Sequence, residues 1–396
     1  MEVSVSTKLR VSMLMGAGTL LLLVLAGLTA QAQSNSPMPP MSTPPLAVPR
    51  QQQEFATDAS AEAELQEGTT LTSKGAFVEA IPHLLAARGK VRNEYAASFN
   101  LALCYVATDQ ADLGIPILND LHAHGHDTSE VNNLLAQAYA GESQDQRALD
   151  ALRRAAALSA ANEKLYIFVA DACTSKENYT LGLQVVDLGL EKLPNSARLH
   201  FERAMFLSSL DQFDNAKKDF ELARNLEPNS DIAFVAAAQE SMFEGNVADA
   251  VKAARDGISK GHENFMLLTL LGEALLRSGI TPGRPEFEEA RNALEKAVAE
   301  RANYASAQLA LGKLYLQTGG VDDATAHLEI ARRLSPGNPA IYSNLAMAYR
   351  KQGRISQAED ALGMLAKLNQ AQADKIRNAP GDRRAGYAGI VIDKNP

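Results

Sequence analysis

Residues 305–338 of this 396-residue chain read ASAQLALGKLYLQTGGVDDATAHLEIARRLSPGN. The stretch contains two runs, at 309–315 and 324–331, in which apolar residues recur at the spacing of amphipathic helices. The turn residues Ser335-Pro336-Gly337-Asn338 follow the second run, where a pair of helices must end. These 34 residues therefore predict one helix-turn-helix unit.

The same unit returns along the chain from about Ala61 to Gln370. One small residue marks each copy, and the markers are Gly68, Ala102, Ala136, Ala170, Ala204, Ala238, Gly272, Gly312 and Ala346. Each step is 34 residues except the step from Gly272 to Gly312, which is 40. The six extra residues fall in the Pro/Gly-rich stretch 279–285. A second small residue follows each marker after twelve positions in eight copies, and after eighteen in copy seven, where the extra residues lie between the two, so that all nine copies have both small residues.

A strict period of this length is typical of a solenoid, in which one unit buries its apolar face only when neighbouring units stack on it. The small residues are predicted to let two helix backbones approach closely, while larger residues fill the space between repeats. We expect the repeats to start near residues 61, 95, 129, 163, 197, 231, 265, 305 and 339.

Three further features identify the repeat type. An aromatic residue or leucine follows the marker by three positions in several copies, at Tyr105, Tyr139, Leu207, Tyr315 and Tyr349. Proline stands between repeats at Pro194, Pro228 and Pro336. With the paired small residues, this pattern resembles the tetratricopeptide repeat (TPR) family over about 310 residues, although the chain has no tryptophan. The resemblance implies an all-α fold, a right-handed α-solenoid of about nine helix-turn-helix repeats over residues 56–370.

The N-terminal residues resemble an export signal. Lys8 and Arg10 precede an apolar run at 11–28, and Ala30-Gln31-Ala32 has the small-x-small form of a cleavage site. We therefore expect a signal peptide over residues 1–32 and a location in the periplasm or cell envelope. An uncleaved membrane anchor at residues 11–30 is the alternative, because about 20 apolar residues span a bilayer.

The remaining ends of the chain are predicted to lie outside the repeats. A Pro/Gln-rich linker is expected over residues 33–55, and a capping helix with a flexible tail over 371–396. The net charge of −9, without a Lys/Arg stripe, argues against a nucleic-acid partner. A membrane contact is expected only through an uncleaved N-terminal segment.

The sequence offers little evidence of catalysis. Gly257-Ile258-Ser259-Lys260-Gly261 has the Gly-x-Ser-x-Gly form, but it lies where the second helix of copy six is predicted to end. Cys104 and Cys173 are placed too far apart for a disulfide and are predicted to be small buried side chains. We therefore predict a protein that is not an enzyme and that needs no cofactor.

A histidine-rich turn suggests one alternative function. His122, His124 and His126 alternate in the turn between copies two and three. Neutral imidazoles this close together could bind zinc, nickel or copper, which would make the chain a metal-binding protein. The other interpretation is a polar, solvated turn.

The predicted binding surface is the concave wall formed by the first helices. Positions two, five, nine and twelve of each copy are expected to face it, and in copies two to seven many of them are apolar. The candidate residues are Phe99, Leu103, Val106, Ile167, Phe201, Met205, Val235, Met242, Phe243 and Met266. Methionine and phenylalanine suit adaptable binding of a protein or peptide segment. The alternative is that these side chains pack between neighbouring first helices.

These observations lead to one main functional prediction and one alternative. The chain is predicted to be a non-enzymatic interaction scaffold outside the cytoplasm that grips a partner segment in an apolar groove. The alternative is a TPR subunit of an envelope polysaccharide-assembly or secretion complex.

Overall fold

The computed structural model describes residues 59–378, in which 18 helices and no strand are found. The first helices of the successive pairs are α1 (Ala59–Ser73), α3 (Glu94–Ala107), α5 (Ser129–Gly141), α7 (Lys164–Ser175), α9 (Ala197–Ser209), α11 (Asp231–Phe243), α13 (Phe265–Arg277), α15 (Ala305–Thr318) and α17 (Pro339–Lys351). The second helices are α2 (Phe77–Ala87), α4 (Ala111–Ala123), α6 (Asp145–Ser159), α8 (Tyr179–Lys192), α10 (Phe213–Leu226), α12 (Val247–Ser259), α14 (Pro285–Glu300), α16 (Val321–Leu334) and α18 (Ile355–Asn378).

The chain is therefore an all-α helical repeat solenoid with nine helix pairs in its described part. The first helices begin within two residues of the expected repeat starts. The chain divides into two compact units, residues 1–165 and 166–396. The first unit holds repeats one to three, and the second holds almost all of repeat four together with repeats five to nine.

The predictions made for the chain ends fall largely outside this region. The expected signal peptide or anchor, the linker at 33–55 and the tail after Asn378 lie outside the described residues. The last helix, α18, is continuous for 24 residues and includes 371–378, the first part of the predicted capping segment. Between residues 59 and 378, no helix is both long enough and apolar enough to cross a membrane.

The small marker residues bring the two helices of a repeat together, as predicted. A methyl group placed on Gly272 would lie 2.4 Å from Leu294, and one on Gly312 would lie 2.7 Å from Leu328. Both leucines are completely buried. Close packing of a leucine on a helix backbone thus explains why this position takes only the smallest residues.

The turn inside each repeat has one fixed backbone conformation. The residue at the fifteenth position has a φ between 54° and 81° in all nine repeats, namely Gly75, Asp109, Ser143, Glu177, Asp211, Gly245, Gly279, Gly319 and Gly353. Such a left-handed residue ends a helix, and glycine adopts it without steric cost. Five of the nine turns use glycine, which shows what the position demands.

Polar contacts also recur at equivalent positions. The fourth and twenty-third residues of a repeat form hydrogen bonds between its two helices in three repeats, as Glu64–His83 (2.6 Å), His200–Asp219 (2.7 Å) and Gln308–His327 (2.7 Å). The tyrosine that follows the marker reaches the previous repeat in repeats three, eight and nine, as Tyr139–Asn119, Tyr315–Glu295 and Tyr349–Glu329. The aromatic residue of the motif therefore joins neighbouring repeats through its hydroxyl.

Repeat five contains the most buried of these contacts. Asp219 is 3% exposed and accepts hydrogen bonds from Arg203 Nε and Nη2, each at 2.7 Å, and lies 2.7 Å from His200 Nδ1. Burial raises the pKa of the Asp219 carboxyl, but the bonds from His200 and Arg203 outweigh burial and hold it below its ordinary value. Arg203 also contacts Asp187 of repeat four at 3.3 Å. This cluster ties α8, α9 and α10 together.

Candidate partner-binding groove

A groove of about 560 Å³ runs across the first helices of repeats seven, eight and nine, within the second unit. Its lining comprises Glu273, Leu276, Arg277, Ser306, Leu309, Ala310, Lys313, Leu316, Gln317, Asn338, Ala340, Asn344 and Met347. These residues lie on α13, α15 and α17, except Asn338, which caps α17, and most of them occupy the positions expected to face a concave wall. The first helices therefore form the wall, and the groove crosses three of them.

The helix starts fix the orientation of this wall. The side chain of Asn264 caps α13 by accepting hydrogen bonds from the backbone N–H groups of Met266 and Leu267 at 3.1 and 3.0 Å. Asn338 caps α17 in the same way, through the N–H of Ala340 at 3.0 Å, and Pro339 occupies the first turn. Because Asn338 and Ala340 also line the groove, the start of α17 forms one of its edges.

The floor of the groove is apolar and its rim is mixed. Leu309, Ala310 and Leu316 are buried beneath it, whereas Met347 is 49% exposed at the rim. Arg277 donates a hydrogen bond to the carbonyl oxygen of Met242 at 3.3 Å, near the end of the preceding first helix. The groove thus offers an apolar surface beside anchored polar groups.

Three charged side chains give the groove its electrostatic character. Burial raises the pKa of Glu273 to about 7, although Lys313 and Arg277 act in the opposite direction. Burial lowers the pKa of Lys313, against the attraction of Glu273, and Arg277 lowers it further. Near neutral pH, Glu273 is therefore only partly ionised, and the two basic side chains give this groove a net positive charge.

The structure places most of the ten predicted groove residues elsewhere. Phe99 in the first unit is buried, and Leu103 and Val106 are half-buried. In the second unit, Phe201, Val235 and Met242 are buried in the core. Ile167, Met205 and Met266 are half-buried, and the last two pack against that core.

The buried phenylalanine Phe201 shows the physical reason. Its ring lies 5.9 Å from the ring of Phe220 on the second helix of the same repeat, and it is 3% exposed. The ring of Phe201 is thus covered by its own repeat in this structure, and its role as a partner anchor stays a prediction that this packing does not support. Apolar side chains at these positions of repeats five and six contribute to the core between helices.

Phe243 is the one predicted residue that is exposed, at 43%. Its ring lies 6.3 Å from Phe213 and 5.9 Å from Phe220. The three rings line a smaller pocket of about 380 Å³, together with the ion-paired side chains of Lys217 and Glu244. This pocket shares no lining residue with the groove of repeats seven to nine.

The sequence interpretation missed the groove residues of repeats eight and nine. Lys313 and Met347 stand at position nine of their repeats, which was among the positions expected to face the wall. The position rule therefore extends to these residues, but the prediction was limited to copies two to seven, where the side chains at these positions are mostly apolar. Arg277 and Asn344 lie one helical position away from the expected set.

The histidine-rich turn does not bring its three rings together. His122 Nδ1 lies 3.3 Å from an oxygen of Asp127 without hydrogen-bond geometry, and His124 Nδ1 contacts the carbonyl oxygen of Asp120 at 2.8 Å. The His126 ring instead packs 4.7 Å from Tyr95. In the part of the chain described, no three His, Cys, Asp or Glu side chains are grouped as metal ligands. The metal site at this turn therefore stays a prediction that this arrangement of side chains does not support.

The Gly-x-Ser-x-Gly pattern marks a helix end, as predicted. The helix α12 ends at Ser259, whose hydroxyl donates to the carbonyl oxygen of Asp256 at 2.9 Å. Gly261 follows with a φ of 90°. Ser259 therefore lies in a helix-ending turn and lacks the strand that a nucleophile elbow requires.

Both cysteines are buried, as expected, and neither is in a disulfide. The Cys104 sulfur lies 3.3 Å from the Thr72 hydroxyl. Burial raises the pKa of the Cys104 thiol to about 11, against the effect of Thr72, so this cysteine is a poor nucleophile.

Comparison with known proteins agrees with the helical repeats. Three family models, each described as tetratricopeptide repeat, match residues 197–230, 285–339 and 319–378. These matches fall on repeat five and on repeats seven to nine, which include the groove.

Individual relatives match only parts of the chain. The chloroplastic tetratricopeptide repeat domain-containing protein PYG7 of Arabidopsis thaliana is 28% identical over 148 residues, which cover 37% of this chain and 48% of that protein. The chain thus spans about half the length of this relative.

Two solved structures are similar over larger parts. The Cut9–Hcn1 hetero-tetramer of the APC/C is 15% identical, with a TM-score of 0.47 over 83% of this chain and 69% of that chain. A tetratricopeptide repeat protein from Parabacteroides merdae is 17% identical, with a TM-score of 0.42 over 74% of this chain and 99% of that chain.

Proposed function

The chain is a tetratricopeptide-repeat protein with the architecture of a protein-interaction scaffold, and from this premise we propose that it binds a partner segment in the groove of repeats seven to nine. Repeats of this family generally form non-enzymatic scaffolds, and we extend that role to this chain. The groove of repeats seven to nine takes the place of the apolar wall of repeats two to seven as the proposed binding surface.

The observation that carries the proposal is the mixture of accessible groups in this groove. Met347 is 49% exposed, Leu276 is half-buried, and the polar side chains of Gln317, Asn344 and Lys313 stand beside them. Exposed apolar surface next to convergent polar groups is typical of a recognition site. Unlike Phe201, these residues retain surface for a partner.

The size of the groove limits what it can hold. It crosses three first helices, and neighbouring packed helices lie about 8–10 Å apart, so it is roughly 20 Å long. An extended chain rises about 3.3 Å per residue, which gives a bound segment of about six residues. We propose a segment with apolar side chains against Leu276 and Met347 and an acidic side chain near Arg277 and Lys313.

We further propose that the protein works outside the cytoplasm. The support is the basic and apolar pattern at residues 8–28 followed by Ala30-Gln31-Ala32. The identity of the captured partner decides whether the complex belongs to polysaccharide assembly, to secretion or to another envelope process.

Photocrosslinking from the groove tests the proposal. A benzophenone amino acid is introduced at Met347 in the full chain, expressed in its own cells and irradiated. Met364 on α18 is the matched control, because it is also an exposed methionine, at 38%, but does not line the groove. We expect a discrete crosslinked partner from position 347 that is absent from position 364.

A charge change separates binding from mere proximity. Lys313→Glu in the crosslinking chain should abolish the adduct at position 347, since it reverses the groove's charge. Equal adducts from positions 347 and 364, or an adduct indifferent to Lys313→Glu, would contradict the proposed groove.

A further inference from the structure

One contact in the second unit joins residues that are 158 positions apart. The Ser335 hydroxyl donates a hydrogen bond to the Glu177 carboxylate at 3.1 Å. Glu177 lies in the turn between α7 and α8 of repeat four, and Ser335 lies in the turn between α16 and α17. A methyl group on Gly337 would lie 1.9 Å from the second oxygen of Glu177, so the carboxylate rests directly on the Gly337 backbone.

Glu177 makes this contact from a strained backbone. It occupies the fifteenth position of its repeat with a φ of 54°, where five of the nine repeats have glycine and two have aspartate. Left-handed backbone is unfavourable for a residue with a long side chain. Strain of this kind persists only where the surrounding structure maintains it, and it clusters at switch regions. The interaction with Ser335 and Gly337 is what distinguishes this turn.

Charged groups elsewhere in the same unit also act between distant repeats. Burial and the nearby Glu202 raise the pKa of Asp171 to about 6, while Arg198 and Arg301 oppose the rise. Arg301 precedes α15, whereas Asp171 lies on α7 of repeat four. Tyr304, in the turn with Arg301, is influenced by Glu202 of α9. Charged side chains on the first helices of repeats four and five therefore lie within electrostatic range of the turn between repeats seven and eight.

The contact adjoins the proposed binding groove. Asn338 and Ala340 line that groove, and they follow Gly337 directly in the chain. Glu177 therefore holds the turn that positions the N-terminal end of α17. Any movement of this turn moves one edge of the groove.

We propose that Glu177, Ser335 and Gly337 form a latch that holds repeat four against the turn between repeats eight and nine and thereby restricts access to the groove. This regulatory role rests on the proposed function of the groove, whereas the latch itself does not. Because few groups form it, we expect the closed arrangement to be reversible. A partner segment that displaces the start of α17 opens it.

Two variants open the latch with opposite local effects. Glu177→Gly removes the carboxylate and relieves the strained backbone, while Gly337→Ala keeps Glu177 but fills the space its carboxylate occupies. Ser143→Gly is the matched control, because Ser143 has the same turn position with a φ of 55° and is not part of the latch. Relief of strain alone therefore occurs in the control.

Double electron–electron resonance between two spin labels measures the distance across the latch. The labels are attached to Ser175→Cys and Arg333→Cys, which replace exposed residues next to the two turns. The native cysteines are fully buried and stay unlabelled in the folded chain. We expect one narrow, short distance in the parent and Ser143→Gly proteins, and a longer, broader distribution in Glu177→Gly and Gly337→Ala.

Circular dichroism confirms that each variant is folded, and Ser335→Ala replaces any variant that is not. An unchanged distribution in the folded latch variants would overturn the latch. Access to the groove is read separately, from the crosslink yield at position 347. If the closed form accounts for about nine molecules in ten, opening strengthens apparent binding about tenfold. A longer distance with an unchanged crosslink yield would refute the regulatory role.

Absence of any adduct at position 347, in the parent and in the opened variants alike, would reject the proposed function of the groove. The spin-label distances would still decide whether the latch exists. The two failures are therefore distinguishable.

Discussion

Replacing Asp219 with alanine tests how repeats four and five are held together. The carboxylate is 3% exposed and accepts two hydrogen bonds from Arg203, with His200 as its third close neighbour. Removing one partner of a buried charged pair costs about 3–5 kcal/mol, because the other charge stays buried without compensation. Arg203 keeps its contact with Asp187, at 3.3 Å, and His200 keeps the Pro194 carbonyl oxygen at 3.0 Å. We therefore expect a loss near 3 kcal/mol, the lower end of that range.

Urea unfolding followed by circular dichroism measures the loss, and hydrogen exchange of α9 and α10 locates it. Asp187→Asn is the control, because Asp187 is half exposed and shares only one hydrogen bond with Arg203. A partly exposed pair of this kind contributes about 0–1 kcal/mol. The reasoning fails if Asp219→Ala costs no more than Asp187→Asn, or if protection is lost evenly along the chain.

The pH dependence of the stability that Asp219 contributes has a definite sign, which comparison of the parent with Asp219→Asn measures. The folded-state pKa of Asp219 is held below its ordinary value by His200 and Arg203 despite burial, so its stabilising effect is present above the unfolded pKa. It is lost as the pH falls through the folded pKa. The difference in unfolding free energy between the parent and Asp219→Asn should therefore narrow below about pH 4.

Three other outcomes are expected. Gly182→Ala should destabilise the protein by about 1–3 kcal/mol through overpacking, because the added methyl group would lie 2.3 Å from Phe206. Gly363→Ala has open space around the added methyl group and should stabilise α18 by about 0.5–1 kcal/mol. Chemical unfolding measures both changes in the free energy of unfolding. Burial raises the folded-state pKa of Glu273 to about 7, so the stabilising contribution of the protonated side chain is lost as the pH rises through that value. The melting temperature of the parent should therefore decline between about pH 4 and pH 7, and Glu273→Gln should remove that decline. Zinc should shift the melting temperature of the parent no more than that of His124→Ala, because the three histidine rings have different partners.

The fold was predictable because its constraints repeat. A position such as Gly272 must be small to accept Leu294, and the same demand recurs in every repeat, so a weak local signal becomes a strong periodic one. The nine helix pairs follow from that periodicity. The signal needs no knowledge of contacts between distant repeats.

The site was less predictable for two physical reasons. A phenylalanine at a wall position can face solvent or a neighbouring helix, and the sequence does not distinguish Phe201, which is buried, from Phe243, which is exposed. The groove residues Lys313 and Asn344 are polar, so a prediction based on apolar side chains at the wall positions did not include them. The contact of Glu177 with Ser335 joins positions 158 apart, which no local pattern encodes.

The matched pairing of a small residue with a leucine has a consequence for the ancestry of the chain. Because equivalent helix contacts recur at each repeat, a duplication or deletion of one whole repeat joins surfaces that already fit. Gene length can therefore vary by whole repeats in relatives without loss of the fold. Between Glu177 and Ser335, however, a change in the number of repeats would separate these two residues. We therefore expect relatives that keep this contact to have the same number of repeats between the two positions.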